Sequence, residues 1–292
     1  MRWLGIVILI VAVWAVPASA QVLGNYCFIP ALARTRGAGN PPTFWVSDVT
    51  IHNPMGQPLV VGLKLFPGDQ ENVWQPPFPF DNTLVLEARE TLLLEDVLGE
   101  YFGLTGNAKA ALMVVVAPEM VPANPEGSQI AVASRTYNTG DPRGTFGQSV
   151  PGINVMWNGD PLPSFITGIR HDGHYRSNLG IVNGSFEPVR VHYRFVRGEG
   201  EVVASGYRDL PSLSLYQWSL SALGVEAGEG ALSADLWLDE ADVTPNPCDS
   251  FWPNKFAAYV SKVDGNPSGT GDAEFLLAMP TLVPPPEDRC PD

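Results

Sequence analysis

Hydrophobic and polar residues alternate in short runs along most of the chain. From Leu59 to Leu65 every second residue is apolar, and the pattern recurs from Val189 to Phe195. A period of two places one face of a strand against a core and the other toward solvent. Such runs, separated by turn-forming segments, predict an all-β protein.

The two alternating runs belong to a longer internal repeat. Trp45–Phe66 aligns without gaps with Tyr175–Val196 at a constant spacing of 130 residues. The identical residues of the alignment include Ser47 and Ser177, Ile51 and Ile181, Asn53 and Asn183, and Pro58 and Pro188. Turn-forming residues follow each asparagine, so each half is predicted to begin with the same β-hairpin.

Looser parallels continue to the end of each half and suggest about seven short strands per half. We therefore predict two tandem immunoglobulin-like antiparallel β-sandwich domains, with one larger β-barrel or sandwich as the alternative. The predicted divisions are a signal peptide (1–20), the first domain (21–150), a linker (151–163), the second domain (164–279) and a Pro-rich tail (280–292).

The N-terminus predicts export. Arg2 precedes an almost unbroken apolar stretch from Trp3 to Val16, and small residues before Gln21 form an A-x-A-type cleavage site. The apolar stretch is shorter than the roughly 20 residues that a membrane span needs. We expect a secreted protein, extracellular or at the cell surface, with the periplasm as an alternative.

Composition narrows the function classes. The 29 Gly and 28 Pro among 292 residues exclude a helical bundle, and the 13 Phe, 8 Trp and 8 Tyr supply material for a core. The formal net charge of −14 argues against general affinity for nucleic acid.

Three segments carry a resemblance: Phe28–Ala33, Thr43–Pro54 and Ser134–Gly152. They resemble modules in exported proteins of environmental bacteria, which are immunoglobulin-like sandwiches, often in tandem, and in general lack an assigned activity. The resemblance is weaker in the second half, where Lys262-Val263-Asp264 replaces Arg-Thr-Tyr. It implies fold and export, and no catalytic residue.

Cysteine, histidine and acidic residues offer few sites. In an oxidising compartment Cys248 and Cys290 are the first candidates for a disulfide, with Cys27–Cys290 next. His171, Asp172 and His174 could hold Zn²⁺ or Cu²⁺, although no third remote ligand is evident and a solvated loop is the simpler interpretation.

A calcium loop is the one cofactor site considered, beside the simpler interpretation of a plain turn. Oxygen-bearing side chains fall at odd positions around Gly269, as Ca²⁺ requires, but the acidic residue expected at position 12 is Phe275 and no helices flank the loop. The candidate ligands are Asp264, Asn266, Ser268, Thr270 and Asp272.

Catalytic motifs are missing, so we predict that the protein is not an enzyme. Gly147–Pro151 fails the G-x-S-x-G pattern because proline replaces the last glycine. Aromatic side chains in Pro-rich loops are the remaining candidates: they could stack on sugars or fill a partner's pocket, although the simpler interpretation is that they cap the open ends of the two sandwiches. The aromatic candidates are Trp74, Phe78, Phe80, Trp157 and Trp252.

The leading hypothesis is a structural or adhesion protein of the cell surface or matrix, which could self-assemble through strand edges. Its expected partners are surface or matrix proteins, itself or glycans. A carbohydrate-binding module using the loop aromatics is the alternative, and a hydrolase or metal-dependent enzyme is third.

Overall fold

The computed structural model describes residues 23–37, 42–75, 77, 79–117, 128–141, 144–153, 163–238, 256–265 and 272–280. Within these ranges the chain consists of antiparallel strands with two short helical turns, Val97–Tyr101 and Ser221–Leu223, so the all-β prediction is confirmed. The signal peptide, most of the linker and nearly all of the tail lie outside the described residues, and the domain bounds stay a prediction.

The first nine strands are β1 (Leu23–Gly24), β2 (Tyr26–Gly37), β3 (Thr43–His52), β4 (Leu59–Pro67), β5 (Asn82–Leu86), β6 (Thr91–Leu94), β7 (Ala108–Val116), β8 (Ile130–Asn138) and β9 (Phe146–Pro151). The other nine are β10 (Ser164–Ile169), β11 (Tyr175–Asn183), β12 (Val189–Arg197), β13 (Glu201–Leu210), β14 (Leu215–Ser219), β15 (Leu232–Leu238), β16 (Phe256–Asp264), β17 (Ala273–Leu277) and β18 (Met279–Pro280). We call β2–β9 repeat 1 and β10–β18 repeat 2.

The two repeats share one strand order. In repeat 1, β6-β3-β8-β9 form one layer and β5-β4-β7-β2 the other, and the last residues of β2 also pair with β3, which joins the layers. In repeat 2 the equivalent layers are β14-β11-β16-β17 and β13-β12-β15-β10-β18. The order departs from the immunoglobulin arrangement, in which the last two strands of the domain lie in the same sheet as its third strand. In repeat 1 the last two strands, β8 and β9, lie in the same sheet as the second strand, β3.

Matching irregularities support the duplication. The pairing of β2 with β7 shifts register between Ile29 and Leu32, and that of β10 with β15 shifts between Ile166 and Ile169. Bulges depend on local sequence and packing. Their recurrence at equivalent positions shows that the likeness extends beyond the aligned strands.

The predicted hairpin at the start of each half is wrong. β3 and β4 do not pair with each other, because the turn after Asn53 carries the chain from one layer to the opposite one. The turn after Asn183 makes the same crossing between β11 and β12. The turn residues mark where a strand ends, and long-range pairing with β7 and β8, or β15 and β16, decides where the next strand lies.

A buried asparagine holds the turn at each of these connections between layers. Asn53 Nδ2 donates to the carbonyl oxygens of Gln57 (2.8 Å), Leu86 (3.3 Å) and Glu87 (2.9 Å). Its Oδ1 accepts from the backbone N–H of Met55 at 2.9 Å. Because the Asn53 side chain is fully buried, these bonds satisfy its own amide atoms, which water does not reach.

Asn183 makes the equivalent bonds in repeat 2. Its Nδ2 donates to the carbonyls of Glu187 (2.8 Å), Leu210 (3.4 Å) and Pro211 (2.8 Å), and Oδ1 accepts from Ser185 N–H at 2.8 Å. Both amides are fully buried and make the same bonds, which explains why asparagine occurs at both equivalent positions of the repeat, 130 residues apart.

Among the described residues three large apolar cores hold the molecule together, beside a small cluster of Trp45, Val263 and Ala273. One lies between the layers of repeat 1 and one between those of repeat 2. The third lies between the repeats and is formed by aromatic and aliphatic side chains from both: Phe28, Phe66, Trp74, Ala111, Met113, Ile153, Val182, Leu213, Leu215, Ala257 and Tyr259. Polar bonds border this third core, including Asn72 Nδ2 to Leu213 O at 2.7 Å. The repeats are therefore packed against each other.

Candidate functional site

The loop aromatics proposed as an exposed binding surface do not form one among the described residues. Trp74 is only 7% exposed, and its indole Nε1 donates to Pro79 O at 3.0 Å. Its ring packs edge-on against Phe66 (6.1 Å between centroids) and beside Phe80 (6.0 Å). The expectation of an exposed ring is therefore wrong for Trp74, because the third core covers it.

Phe80 is the one other predicted ring among the described residues. It is half-buried over the backbone of Gly62, where a Cβ would lie 2.3 Å from the ring, so it fills a gap in β4. Phe78, Trp157 and Trp252 lie outside the described residues. A binding role for those three residues stays a prediction.

Only the ends of the predicted calcium loop are described. Asp264 N–H donates to Asp272 O at 2.8 Å, which closes a connection between β16 and β17. The Asp272 carboxylate accepts from Ala273 N–H at 3.0 Å. Asn266, Ser268 and Thr270 lie outside the described residues, so calcium binding here stays a prediction.

The histidine-containing segment before β11 is held by bonds of its own. His171 Nε2 lies 2.9 Å from Ser221 Oγ, and the ring is buried. The Asp172 carboxylate accepts from the backbone N–H groups of His174 and Tyr175 and pairs with Arg170 at 2.9 Å. In the described ranges no three metal-ligating side chains come together.

Burial of His171 predicts a pH effect on stability. Desolvation, followed by the nearby Arg197 charge, lowers the pKa of His171 below its ordinary value of 6.5. The unfolded chain then binds this proton more readily than the folded chain, so stability is lost as pH falls below about 6.5. We expect the urea midpoint to decrease between about pH 7 and about pH 5, and to decrease less in His171→Gln.

The exposed neighbour His174 provides the control for this titration. His174→Gln is expected to keep the wild-type pH dependence. Equal slopes for wild type and His171→Gln would contradict the assignment to His171.

Cys27 is a core residue. Its thiol is fully buried, lies 4.0 Å from Val132 O and is covered by Gly152, whose added Cβ would lie 2.4 Å from the sulfur. Burial raises the pKa of this thiol to about 12, so the thiol stays protonated at neutral pH. Among the described residues it forms no disulfide, and the second-choice Cys27–Cys290 bridge stays a prediction. Cys248 and Cys290 lie outside the described residues.

In repeat 2, the outer face of the sheet β13-β12-β15-β10-β18 carries a row of aromatic rings. Cross-strand register places His192 of β12 between Tyr207 of β13 and Trp237 of β15. The His192 ring is stacked on Trp237 (centroids 5.5 Å apart, planes 19° apart) and lies 5.7 Å from Tyr207. Tyr207 is 47% exposed. Rings at paired positions on adjacent strands pack against one another, because the distance between neighbouring strands is close to the distance between the centroids of packed rings.

Arginines extend the row at both sides. The Arg190 guanidinium lies 4.1 Å from the Tyr207 centroid and bonds Asp209 through two N–H groups, at 2.7 and 3.0 Å. Arg194 lies 5.9 Å from the Trp237 centroid and donates to Asp235 at 2.8 Å. We call these seven residues the aromatic face: Arg190, His192, Arg194, Tyr207, Asp209, Asp235 and Trp237.

The charges of the aromatic face are neutralised within it. The hydrogen bond from Arg190 holds the pKa of Asp209 below its usual value. Asp235 is 8% exposed and is paired with Arg194. Bidentate and stacked arginines lose little further freedom when they are covered. The result is a pre-arranged surface of rings and paired charges.

The alternation from Val189 to Phe195 puts Arg190, His192 and Arg194 on the outward face of a strand. Tyr207 and Trp237 were not among the predicted site residues, because they lie on strands distant in sequence. Their own alternation marked them as outward-facing, but only the register brings them beside His192.

The edge strand β13, which carries Tyr207 and Asp209 of this face, is protected against pairing with a further strand. Arg208 points toward the interior side of β13 and lies over the rings of Tyr193 (5.6 Å) and Trp218 (5.4 Å). An inward-pointing charge on an edge strand is a known barrier to strand addition. The predicted self-assembly through strand edges is therefore not favoured at β13.

No protein-family model and no curated protein matches the chain. Among solved structures, one similar chain is a glycosyl hydrolase family 2 member from Bacteroides cellulosilyticus DSM 14838, with 10% identity and a TM-score of 0.15. The match covers 81% of this chain and 28% of that one. A likeness this low carries no information on fold or activity. In the described residues no helix has the length and apolar character of a membrane span.

Proposed function

We propose that this chain is a non-enzymatic adhesion protein of the cell surface or matrix, and that it contacts a protein partner through the aromatic face. The observation that carries the proposal is the row of Trp, Tyr, His and paired Arg side chains on one exposed sheet. Trp, Tyr and Arg are the residues most enriched in binding hot spots. The N-terminal signal supports export.

The arrangement of the rings favours protein over sugar as the partner. A sugar stacks on a free ring face, whereas His192 lies against Trp237 and Arg190 lies over Tyr207. The edges of these rings and the exposed guanidinium N–H groups suit the mixed apolar and polar contacts of a protein interface. Carbohydrate binding remains the second candidate.

The test compares wild type with Trp237→Ala for retention on envelopes of the producing cells. We expect the substitution to weaken retention about thirtyfold, the effect of losing a central hot-spot residue. Trp218→Ala is the matched control, because Trp218 is a half-buried tryptophan on the other layer of the same repeat, stacked on Tyr216. It should retain wild-type binding.

Treatment of the envelopes separates the two partner classes. Protease treatment should abolish retention, and periodate oxidation of sugars should leave it unchanged. Loss with periodate alone would overturn the protein partner in favour of the glycan. Equal retention of wild type and Trp237→Ala would overturn the aromatic face as the contact surface.

A further inference from the structure

A cleft of about 210 Å³ with a mixed polar and apolar lining lies between the two repeats, on strands other than those of the aromatic face. One side is formed by residues of β2, β3, β7, β8 and β9, and the other by residues of β11, β14 and β16. Ligand sites are common where folded units meet, because two rigid surfaces enclose a space that neither encloses alone.

The cleft is positively charged although the chain as a whole is acidic. Arg36, Lys109 and Arg176 line it, and no carboxylate is among its described lining residues. Lys109 is paired with Asp69 at 2.9 Å. Within the described part of the chain, neither Arg36 nor Arg176 forms an ion pair. In a chain of net charge −14, this concentrates positive potential at one place.

Buried polar groups form part of the cleft wall. Ser261 Oγ donates to Gln148 Oε1 at 3.1 Å, which orients the Gln148 amide and leaves its N–H groups as donors. Both side chains are less than 10% exposed. Burial raises the pKa of Tyr259, so its hydroxyl remains protonated. The bonds between wall residues hold these groups in place before any ligand arrives.

We propose that this cleft binds a small anionic sugar, a uronic acid, with its carboxylate held by Arg36 and Arg176. Guanidinium groups bind carboxylates in forked geometry, and the amides of Gln148, Asn178 and Gln217 match sugar hydroxyls. The volume lies below the roughly 300–1,000 Å³ of sites for drug-sized ligands, which suits a single sugar unit.

The experiment is titration calorimetry of the mature chain with D-glucuronate, with D-glucose and sodium acetate as comparison ligands. Glucose has the hydroxyls without the charge, and acetate has the charge without the hydroxyls. We expect measurable binding of glucuronate alone, and about tenfold weaker binding in each of Arg36→Gln and Arg176→Gln, the loss of one charged hydrogen-bond partner.

Arg135→Gln is the control, because Arg135 lies on β8 next to Thr136 of the cleft but points away and bonds Thr145 O at 2.6 Å. It should bind glucuronate as wild type does. Equal binding of acetate and glucuronate, or glucuronate binding that neither cleft substitution weakens, would overturn the site. So would an absence of glucuronate binding by a folded wild-type chain.

Discussion

Asn183→Ala is expected to lower the free energy of unfolding by about 3 kcal/mol, a large effect for an uncharged side chain. The substitution removes the donor that the carbonyls of Glu187, Leu210 and Pro211 share. Ser185 Oγ and Ser214 Oγ still donate to Glu187 O and Pro211 O, so Leu210 O is the buried carbonyl that loses its side-chain donor. The substitution also removes the acceptor for Ser185 N–H. Each unsatisfied buried polar group costs about 1–3 kcal/mol, and local relaxation recovers part of the total. Urea unfolding of the mature chain measures the change.

Two further variants show whether the amide itself is responsible. Asn183→Asp keeps the acceptor for Ser185 N–H but directs a carboxylate at three carbonyl oxygens, so it should destabilise at least as much as alanine. Asn53→Ala should cost a similar amount, because its bonds in repeat 1 are equivalent. A loss below about 1 kcal/mol for either alanine variant would contradict the role of the crossing asparagines.

Trp74→Ala is expected to lower the free energy of unfolding by about 3–5 kcal/mol, as for a large aromatic removed from a core. Trp74 is 7% exposed and packs between Phe66 and Phe80 at the junction of the repeats. The neighbouring repeat limits how far the site can collapse, so a cavity remains. The same urea titration measures the loss.

Phe165→Ala provides the exposed counterpart, since Phe165 is 40% exposed on β10. It should change stability by less than about 1 kcal/mol. A similarly small effect for Trp74→Ala, together with weakened sugar binding, would restore the exposed-loop interpretation of Trp74.

The strands could be predicted from the sequence because alternation is a local property. Leu59–Leu65 and Val189–Phe195 alternate in the chain as they do in the sheets. The repeat was equally accessible, since Asn53 and Asn183 keep their spacing. The bonds that these residues make explain their recurrence.

The failures concern properties that depend on distant residues. The turn after Asn53 ends a strand, but nothing near it in sequence states which layer β4 joins. The Pro-rich surroundings of Trp74 suggested an exposed loop, whereas residues of repeat 2 complete the core that buries it. The aromatic face depends on the register that sets Tyr207 and Trp237 beside His192.

The aromatic face and the cleft give the chain two surfaces of different chemistry. The face has its charges paired and suits a protein partner, whereas the cleft has two arginines without carboxylate partners among the described residues. Because they lie on different parts of the molecule, substitutions at Trp237 and Arg36 should act independently.

Hydroxyl-radical footprinting on envelope-bound protein tests the contact surface most directly, since it reports the solvent access of individual side chains. We predict that binding to untreated envelopes lowers oxidation of Tyr207, His192 and Trp237, and leaves Tyr216 and Trp218 on the opposite layer unchanged. Unchanged oxidation of the three face residues in the bound protein, with protection elsewhere, would contradict the account.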